Sequence, residues 1–273
     1  MTSATGQVPD AAAVAAGWPA PAPGAAPRAK MIMAQAGLET RMLVRNGEQL
    51  LLTLVIPVLL LTVLSLDRHL VSEGSGRPVD FLVPGMIALA VLSTAFTSQA
   101  IATGFERRYG VLKRLGSTPL SRGGLIGAKT ATVLGVELAQ TMILLAVGLA
   151  LGWHPNTAGP EAAVWVVLLV LAGTAAFSGL ALLLAGTQRA EATLALANLV
   201  YLILLGIGGI IFSLSKFPAS ARPVLTLLPS GALSDGLHQV LQHGSGLPLH
   251  DLVVLTVWAA VLITLAARFF RWE

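Results

Sequence analysis

Residues 162–185 read AAVWVVLLVLAGTAAFSGLALLLA, without one charged side chain. At ~1.5 Å of rise per helical residue, this run is long enough to cross the ~30 Å hydrocarbon core of a bilayer. Comparable apolar runs occupy residues 50–66, 81–105, 125–151, 193–214 and 251–267. The sequence therefore predicts an all-α integral membrane protein with six transmembrane helices.

Composition agrees with this reading. The chain is 55% hydrophobic and 11% charged, with a mean hydropathy of +0.79, whereas a water-facing exterior needs about 25–35% charged residues. A net charge of +4 could point to nucleic acid, but tyrosine occurs only twice and no basic face alternates with stacking aromatics. Topology explains the charge better. With both termini cytoplasmic, the inner side collects Arg28, Lys30, Arg41, Arg45, Arg107, Arg108, Lys113, Arg114, Arg122, Lys129, Arg189, Arg268 and Arg271, leaving Arg68, Arg77, Lys216 and Arg222 outside. Loops enriched in lysine and arginine stay in the cytoplasm, which selects this orientation. The chain has no cysteine, so disulfides, thiol catalysis and cysteine-based zinc sites are excluded.

Residues 1–28 are rich in alanine, proline and glycine and follow neither a helical nor a strand period, which predicts a disordered tail. They lack the basic start and continuous apolar stretch of a signal peptide. Residues 29–273 form one membrane domain in this reading. Its first segment interleaves Lys30, Arg41, Arg45 and Glu48 with Met31, Met33, Leu38, Met42 and Leu43. That pattern suits an amphipathic helix along the cytoplasmic membrane surface, or a polar lead-in to the first span. Pro57 lies within that span and should kink it, freeing a carbonyl unless a neighbour compensates. In the long external segment 215–250, two apolar stretches at 224–228 and 233–241 flank Pro229-Ser230-Gly231. Both are too short to span and read as short re-entrant or capping helices, or as a plain loop.

The second cytoplasmic loop runs Glu106-Arg107-Arg108-Tyr109-Gly110-Val111-Leu112-Lys113-Arg114-Leu115-Gly116-Ser117-Thr118-Pro119-Leu120-Ser121-Arg122. Read as a helix, it puts Phe105, Tyr109 and Leu112 on one stripe and Arg107 and Arg114 on another row, with Pro119 ending it near Thr118. On these residues alone, such a helix serves equally as a surface for a motor protein to push or as a basic anchor for anionic lipid headgroups.

This loop resembles the cytoplasmic motif of type-2 ATP-binding-cassette (ABC) exporter permeases, the group that includes daunorubicin-type antibiotic exporters. Glu106, Arg107, Gly110, Leu112, Leu115, Thr118, Pro119, Leu120 and Arg122 match the pattern; Tyr109 and Val111 depart from it. The resemblance covers roughly residues 30–273. It implies a permease of the bacterial plasma membrane, with no catalytic site and no bound cofactor. A separate cytoplasmic ATPase would carry ATP and magnesium and dock on Glu106, Arg107, Arg108, Tyr109, Leu112, Arg114 and Leu115. A second permease, identical or not, and membrane lipid complete the implied partners, and nucleic acid is not among them. A drug, lipid or glycan would be the exported substrate. The competing reading is a non-enzymatic membrane scaffold that holds a cytoplasmic partner.

Other motifs carry less. The segment from Gly123 to Thr130 misses a phosphate-binding loop by one residue, Ala128, and runs straight into an apolar span with no strand before it. His69, His154, His238, His243 and His250 share no close ligand spacing and read as surface residues. Ser234, Asp235 and His238 lack a nucleophile elbow. Gly148 and Gly152 form a small-xxx-small pair suited to packing within the subunit or at a dimer seam. Polar side chains inside spans need a purpose, because an ionised group there costs about 2.5–3.5 kcal/mol. Gln99, Glu137, Gln140 and Asn198 are these groups, read either as lining the substrate path or as bonding between helices. Lys129 lies about 12 Å along the helix from Glu137, too far to pair with it.

Overall fold

In hydrocarbon every backbone polar group must be satisfied within the chain, so apolar runs of this length fold as helices. A computed structural model describes residues 26–45, 47, 51–66, 77–116, 118 and 122–270, and these form helices with no strand among them. Of the expected tail over residues 1–28, residues 1–25 lie outside the described residues, as do His69, Pro119 and Leu120, and Arg28 already opens a helix.

The chain opens with α1 (Arg28–Arg45). Helix α2 begins as a π-helical turn, Leu51–Val55, and continues as Ile56–Leu66. Helix α3 (Pro78–Arg108) is long, with a second π-helical turn at Leu92–Ser98. The short α4 (Val111–Gly116) precedes α5 (Arg122–Ala150), α6 (Ala162–Thr187) and α7 (Ala190–Ile207). Two short helices, α8 (Arg222–Thr226) and α9 (Pro229–Leu241), lead to α10 (Leu249–Phe269).

Every residue of α3 from Phe81 to Phe96 is buried, which makes it the axis around which α2, α5, α6, α7 and α9 are arranged. Helices α6 and α10 form the most extensive pair. There Gly179 admits the Leu262 side chain, because a Cβ would sit 2.9 Å from Leu262 Cβ. The outward faces are apolar: Leu138 and Met142 on α5, Val164 and Val167 on α6, Leu199 and Leu202 on α7, and Val253 and Val257 on α10 are all exposed. Such faces suit lipid, not water. Five helices, α3, the Gly127–Ala150 part of α5, α6, α7 and α10, are long and apolar enough to cross a membrane; the described apolar part of α2 is shorter.

Pro57 sits just after the π-helical turn of α2. Lacking an N–H, it cannot donate to the Thr53 carbonyl four residues earlier. Gln140 of α5 supplies a donor instead, its Nε2 lying 2.5 Å from Thr53 O. The compensation that the sequence demanded thus comes from a neighbouring helix.

The fifth run ends earlier than the hydropathy of residues 193–214 implies. Helix α7 stops at Ile207, where Gly208 N donates to Leu204 O at 2.9 Å and Gly209 adopts a φ of +70°. A left-handed glycine after the last turn is a helix stop that hydropathy cannot register. Residues 210–213 follow as an irregular segment, and a Cβ on Gly85 of α3 would overlap the Ile210 carbonyl oxygen.

Within segment 215–250, α8 and α9 take the places of the two short apolar stretches. Almost all of α9 is buried, packed against α3, α6 and α10. It carries His238, which corrects the surface assignment of that histidine: the side chain is buried, while His154, His243 and His250 are exposed. His238 Nε2 lies 2.9 Å from Phe81 O, Nδ1 lies 2.6 Å from Ser234 O, and the ring rests 4.5 Å from the Phe81 ring. Burial pushes its pKa below the ordinary histidine value. Ser234 Oγ donates to Gly209 O at 2.8 Å, so it serves the turn after α7. Gly148 packs within the subunit, since a Cβ there would sit 2.7 Å from Val83 Cγ2.

Candidate functional site

The loop singled out by sequence is not one helix. Helix α3 runs through Arg108, breaks at Tyr109-Gly110, and resumes as α4. Gly110 has a φ of +68°, a conformation that costs other residues about 1–2 kcal/mol, and no atom stands within 4 Å of where its Cβ would be. Its carbonyl then accepts Arg114 N at 3.1 Å, starting the new helix in a new direction. The single stripe of Phe105, Tyr109 and Leu112 is therefore divided. Tyr109 is 66% exposed although its ring stacks on Phe105 at 6.1 Å, while Leu112 is buried and anchors α4.

The charged residues of the loop also separate by role. Arg107 donates to the Gln188 carbonyl and Arg108 pairs with Glu191, tying the end of α3 to the α6–α7 turn. The Arg108 pair is exposed and contributes little stability by itself. Glu106 turns inward to Lys129 of α5, with Oε2 at 2.7 Å and Oε1 at 2.9 Å from Nζ. Lys129 also lies 3.6 Å from Glu39 of α1. One ammonium, itself nearly buried, thus stands between two carboxylates from different helices. Lys113 and Arg114 remain on the exposed side of α4, and Leu115 is half-buried. The near-miss phosphate loop is helical from Arg122, and its lysine is this ion-paired Lys129.

A cavity of about 190 Å³ opens beside that cluster, between α1, α3 and α5. Met42, Leu43, Ala102 and Val133 supply apolar wall; Thr94, Ser98, Gln99, Thr103, Thr132, Glu39, Glu106 and Lys129 supply polar wall. Gln99 is buried there, with neither amide atom hydrogen-bonded among the described residues, and the buried Thr103 hydroxyl is likewise without a partner.

The four polar residues inside the spans go to four places. Gln99 lines the cavity. Gln140 joins three helices: Thr94 Oγ1 of α3 donates to its Oε1 at 2.9 Å while its Nε2 serves Thr53 of α2. Glu137, one turn earlier on α5, accepts a hydrogen bond from Thr174 Oγ1 of α6 at 2.5 Å. Asn198 sits on the exposed face of α7 and donates to Leu194 O of its own helix at 3.0 Å, not to another helix. Sequence reasoning passed over Glu39, Lys129 and Thr103 as members of one cluster. The available signal was a lysine at the head of an apolar span, which needs a carboxylate in reach.

Residues 70–268 match the family model described as ABC-2 family transporter protein. The chain is also 27% identical over 258 residues to proteins named probable doxorubicin resistance ABC transporter permease protein DrrC, from two strains of Mycobacterium tuberculosis, CDC 1551 / Oshkosh and ATCC 25618 / H37Rv. Each match covers 90% of this chain and 90% of the relative. With the family model spanning most of the chain, and with its helical architecture and apolar exterior, this protein belongs to the ABC-2 family of transporter permeases.

Proposed function

We propose that this chain is the membrane half of an ATP-driven exporter of the drug-efflux kind, moved by a separate cytoplasmic ATPase. The carrying observation is the family match, together with α4: a short basic helix set at a glycine break on the end of the central helix. A force on α4 reaches α3 through the buried Leu112, and reaches α5 and α1 through Glu106, Lys129 and Glu39. Tyr109, Lys113 and Arg114 form the outward docking face, while Glu106, Arg107, Arg108 and Leu112 hold that face in position. ATP and magnesium belong to the ATPase. Helix α2 is the first of six spans, α1 lies along the cytoplasmic surface, and both termini are cytoplasmic. A second permease covers part of the apolar exterior; the exposed face of α7, with Asn198 amid Leu194, Leu199 and Leu202, is suited to it because an amide facing lipid is costly.

The test has two parts. Single cysteines replacing Arg114 and Ser220, in this cysteine-free chain, should be labelled from opposite sides of sealed cells. Then Tyr109→Ala combined with Arg114→Glu should abolish co-purification of an ATPase co-expressed from an adjacent reading frame, with the permease still inserted. Labelling of position 114 from outside, or full co-purification and efflux with the double variant, would overturn the proposal.

A further inference from the structure

Helix α1 uses one side to hold α5 and leaves another open. On the packed side Ala36 is buried, Thr132 Oγ1 of α5 lies 3.2 Å from its carbonyl oxygen, and Glu39 reaches Lys129. On the open side Met33, Arg41, Val44 and Arg45 are all exposed, a mixture of cations and apolar groups that suits a membrane surface. An open groove of about 550 Å³ runs from that side to α5, with Met33, Gly37, Arg41, Val44, Arg45 and Ala131 in its wall. The wall holds two guanidinium groups and no carboxylate, and neither arginine has an ion-pair partner among the described residues. The Thr40 hydroxyl in the same wall is engaged by Ala36 O at 2.9 Å. Four residues apart, Arg41 and Arg45 stand about 6 Å from each other along the axis, so both can reach the oxygens of one phosphate, an anion that matches the guanidinium fork.

The groove lies where the membrane-crossing part of α5 begins. That part starts at Gly127, and Ala131 follows about 6 Å further along the axis. From Ala131 an apolar track continues along α5 through Gly135, Leu138 and Met142, whose spacing puts them on one helix face. All four residues are exposed, and no atom stands within 4 Å of where a Cβ on Gly135 would be. The track is about 16 Å long, room for much of an acyl chain. We infer that α1 and α5 form a site for one anionic phospholipid, its phosphate between Arg41 and Arg45 and an acyl chain along Ala131, Gly135, Leu138 and Met142. The site goes beyond the exporter reading: it rests on α1 lying at the membrane surface, as proposed there, and needs neither ATPase nor substrate. A zwitterionic lipid brings a cation of its own to a groove that already holds two, so a net negative headgroup is preferred. An acidic protein segment would satisfy the arginines but cannot follow the track into hydrocarbon with its backbone unbonded.

Binding is measured by native mass spectrometry on the purified full-length permease in detergent, titrated with phosphatidylglycerol or with phosphatidylcholine of the same acyl chains. Saturable binding of phosphatidylglycerol, at least tenfold tighter than that of phosphatidylcholine, is expected. Arg41→Gln combined with Arg45→Gln should weaken it tenfold or more, and Gly135→Phe, which obstructs the track from an open position, fivefold or more. Arg28→Gln combined with Lys30→Gln removes the same charge from the same helix outside the groove and should leave binding within twofold. All four basic side chains are exposed, so both double variants keep the fold. Equal binding of the two lipids, or unchanged binding in the Arg41–Arg45 variant or in Gly135→Phe, would overturn the proposal. An equal loss in the Arg28–Lys30 variant would also overturn it, in favour of diffuse attraction to the whole helix. Loss of ATPase co-purification in the Arg41–Arg45 variant with phosphatidylglycerol binding intact would assign the arginines to a protein partner instead. Quenching of a fluorophore on Gly37→Cys by brominated phosphatidylcholine tests the position of α1 separately: quenching without selective binding counts against this site alone, and no quenching overturns the surface position of α1 and the site with it.

Discussion

Replacing Gln140 with leucine removes a side chain that touches the π-helical turns of both α2 and α3. The change keeps the volume near that of glutamine, so packing is largely retained and the polar contacts are isolated. Two bonds are lost, Thr94 Oγ1 to Oε1 at 2.9 Å and Nε2 to Thr53 O at 2.5 Å. Interhelical hydrogen bonds in membranes average about 0.6 kcal/mol and reach about 1.7 kcal/mol, so the pair is worth about 1–3 kcal/mol. Thr53 sharpens the case, because Pro57 cannot donate to its carbonyl. Unfolding of the purified permease in mixed micelles by titrated dodecyl sulfate, followed by circular dichroism, measures the loss. A cycle with Thr94→Val should return a coupling of about 0.6–1.7 kcal/mol. Pro57→Ala restores a backbone N–H and should reduce the penalty of Gln140→Leu. Strict additivity of Gln140→Leu with both Thr94→Val and Pro57→Ala would refute the assignment of Gln140 as the link between the two irregular turns.

Two further outcomes follow from the end of the bundle that holds Lys129 and Gly110. Lys129→Met leaves Glu39 and Glu106 without their shared cation; removing one partner of a buried pair costs about 3–5 kcal/mol, and the partial exposure of both carboxylates lowers this to about 2 kcal/mol. Thermal unfolding in detergent should show the loss and its partial recovery in Lys129→Met with Glu39→Gln; an unchanged Tm in the single variant would contradict it. Gly110→Ala, at a φ of +68°, should cost about 1 kcal/mol and misdirect α4, lowering ATPase co-purification while insertion persists. Gly206→Ala, where a Cβ also meets open space but the backbone is helical, serves as the neutral comparison.

The helical class and the run positions were legible because hydrocarbon imposes a length and an apolar composition on each span. Residues 162–185 fall within α6, whose bounds differ by two residues at one end. What hydropathy missed were features set by one backbone angle or one distant partner. Gly209 ended α7 seven residues before the apolar run did, and Gly110 divided the helix read across residues 106–118. The demand created by Pro57 was readable, whereas its answer was not, since Gln140 stands far away in sequence. His238 illustrates the same limit: spacing argued against a metal site, but only the fold reveals that α9 carries the ring into the bundle. The cluster of Glu39, Glu106 and Lys129 draws on three helices, and no local pattern announces such an assembly.

The buried α9 has a consequence for cooperativity. It meets α3 through the Phe81 carbonyl and ring, while the segment after α7 presses the Ile210 carbonyl against Gly85. The second contact is backbone against backbone and cannot yield by a side-chain rotation, while the first holds the buried His238 ring of α9 to the backbone of α3. Loosening α9 breaks the His238 contact to α3, and the two segments should open as one unit, despite the long stretch of sequence between them. Amide hydrogen exchange would register this as a shared opening free energy for residues 229–241 and the first half of α3. The α8–α9 pair would then be part of the same cooperative block as the central span, not a peripheral lid with a stability of its own.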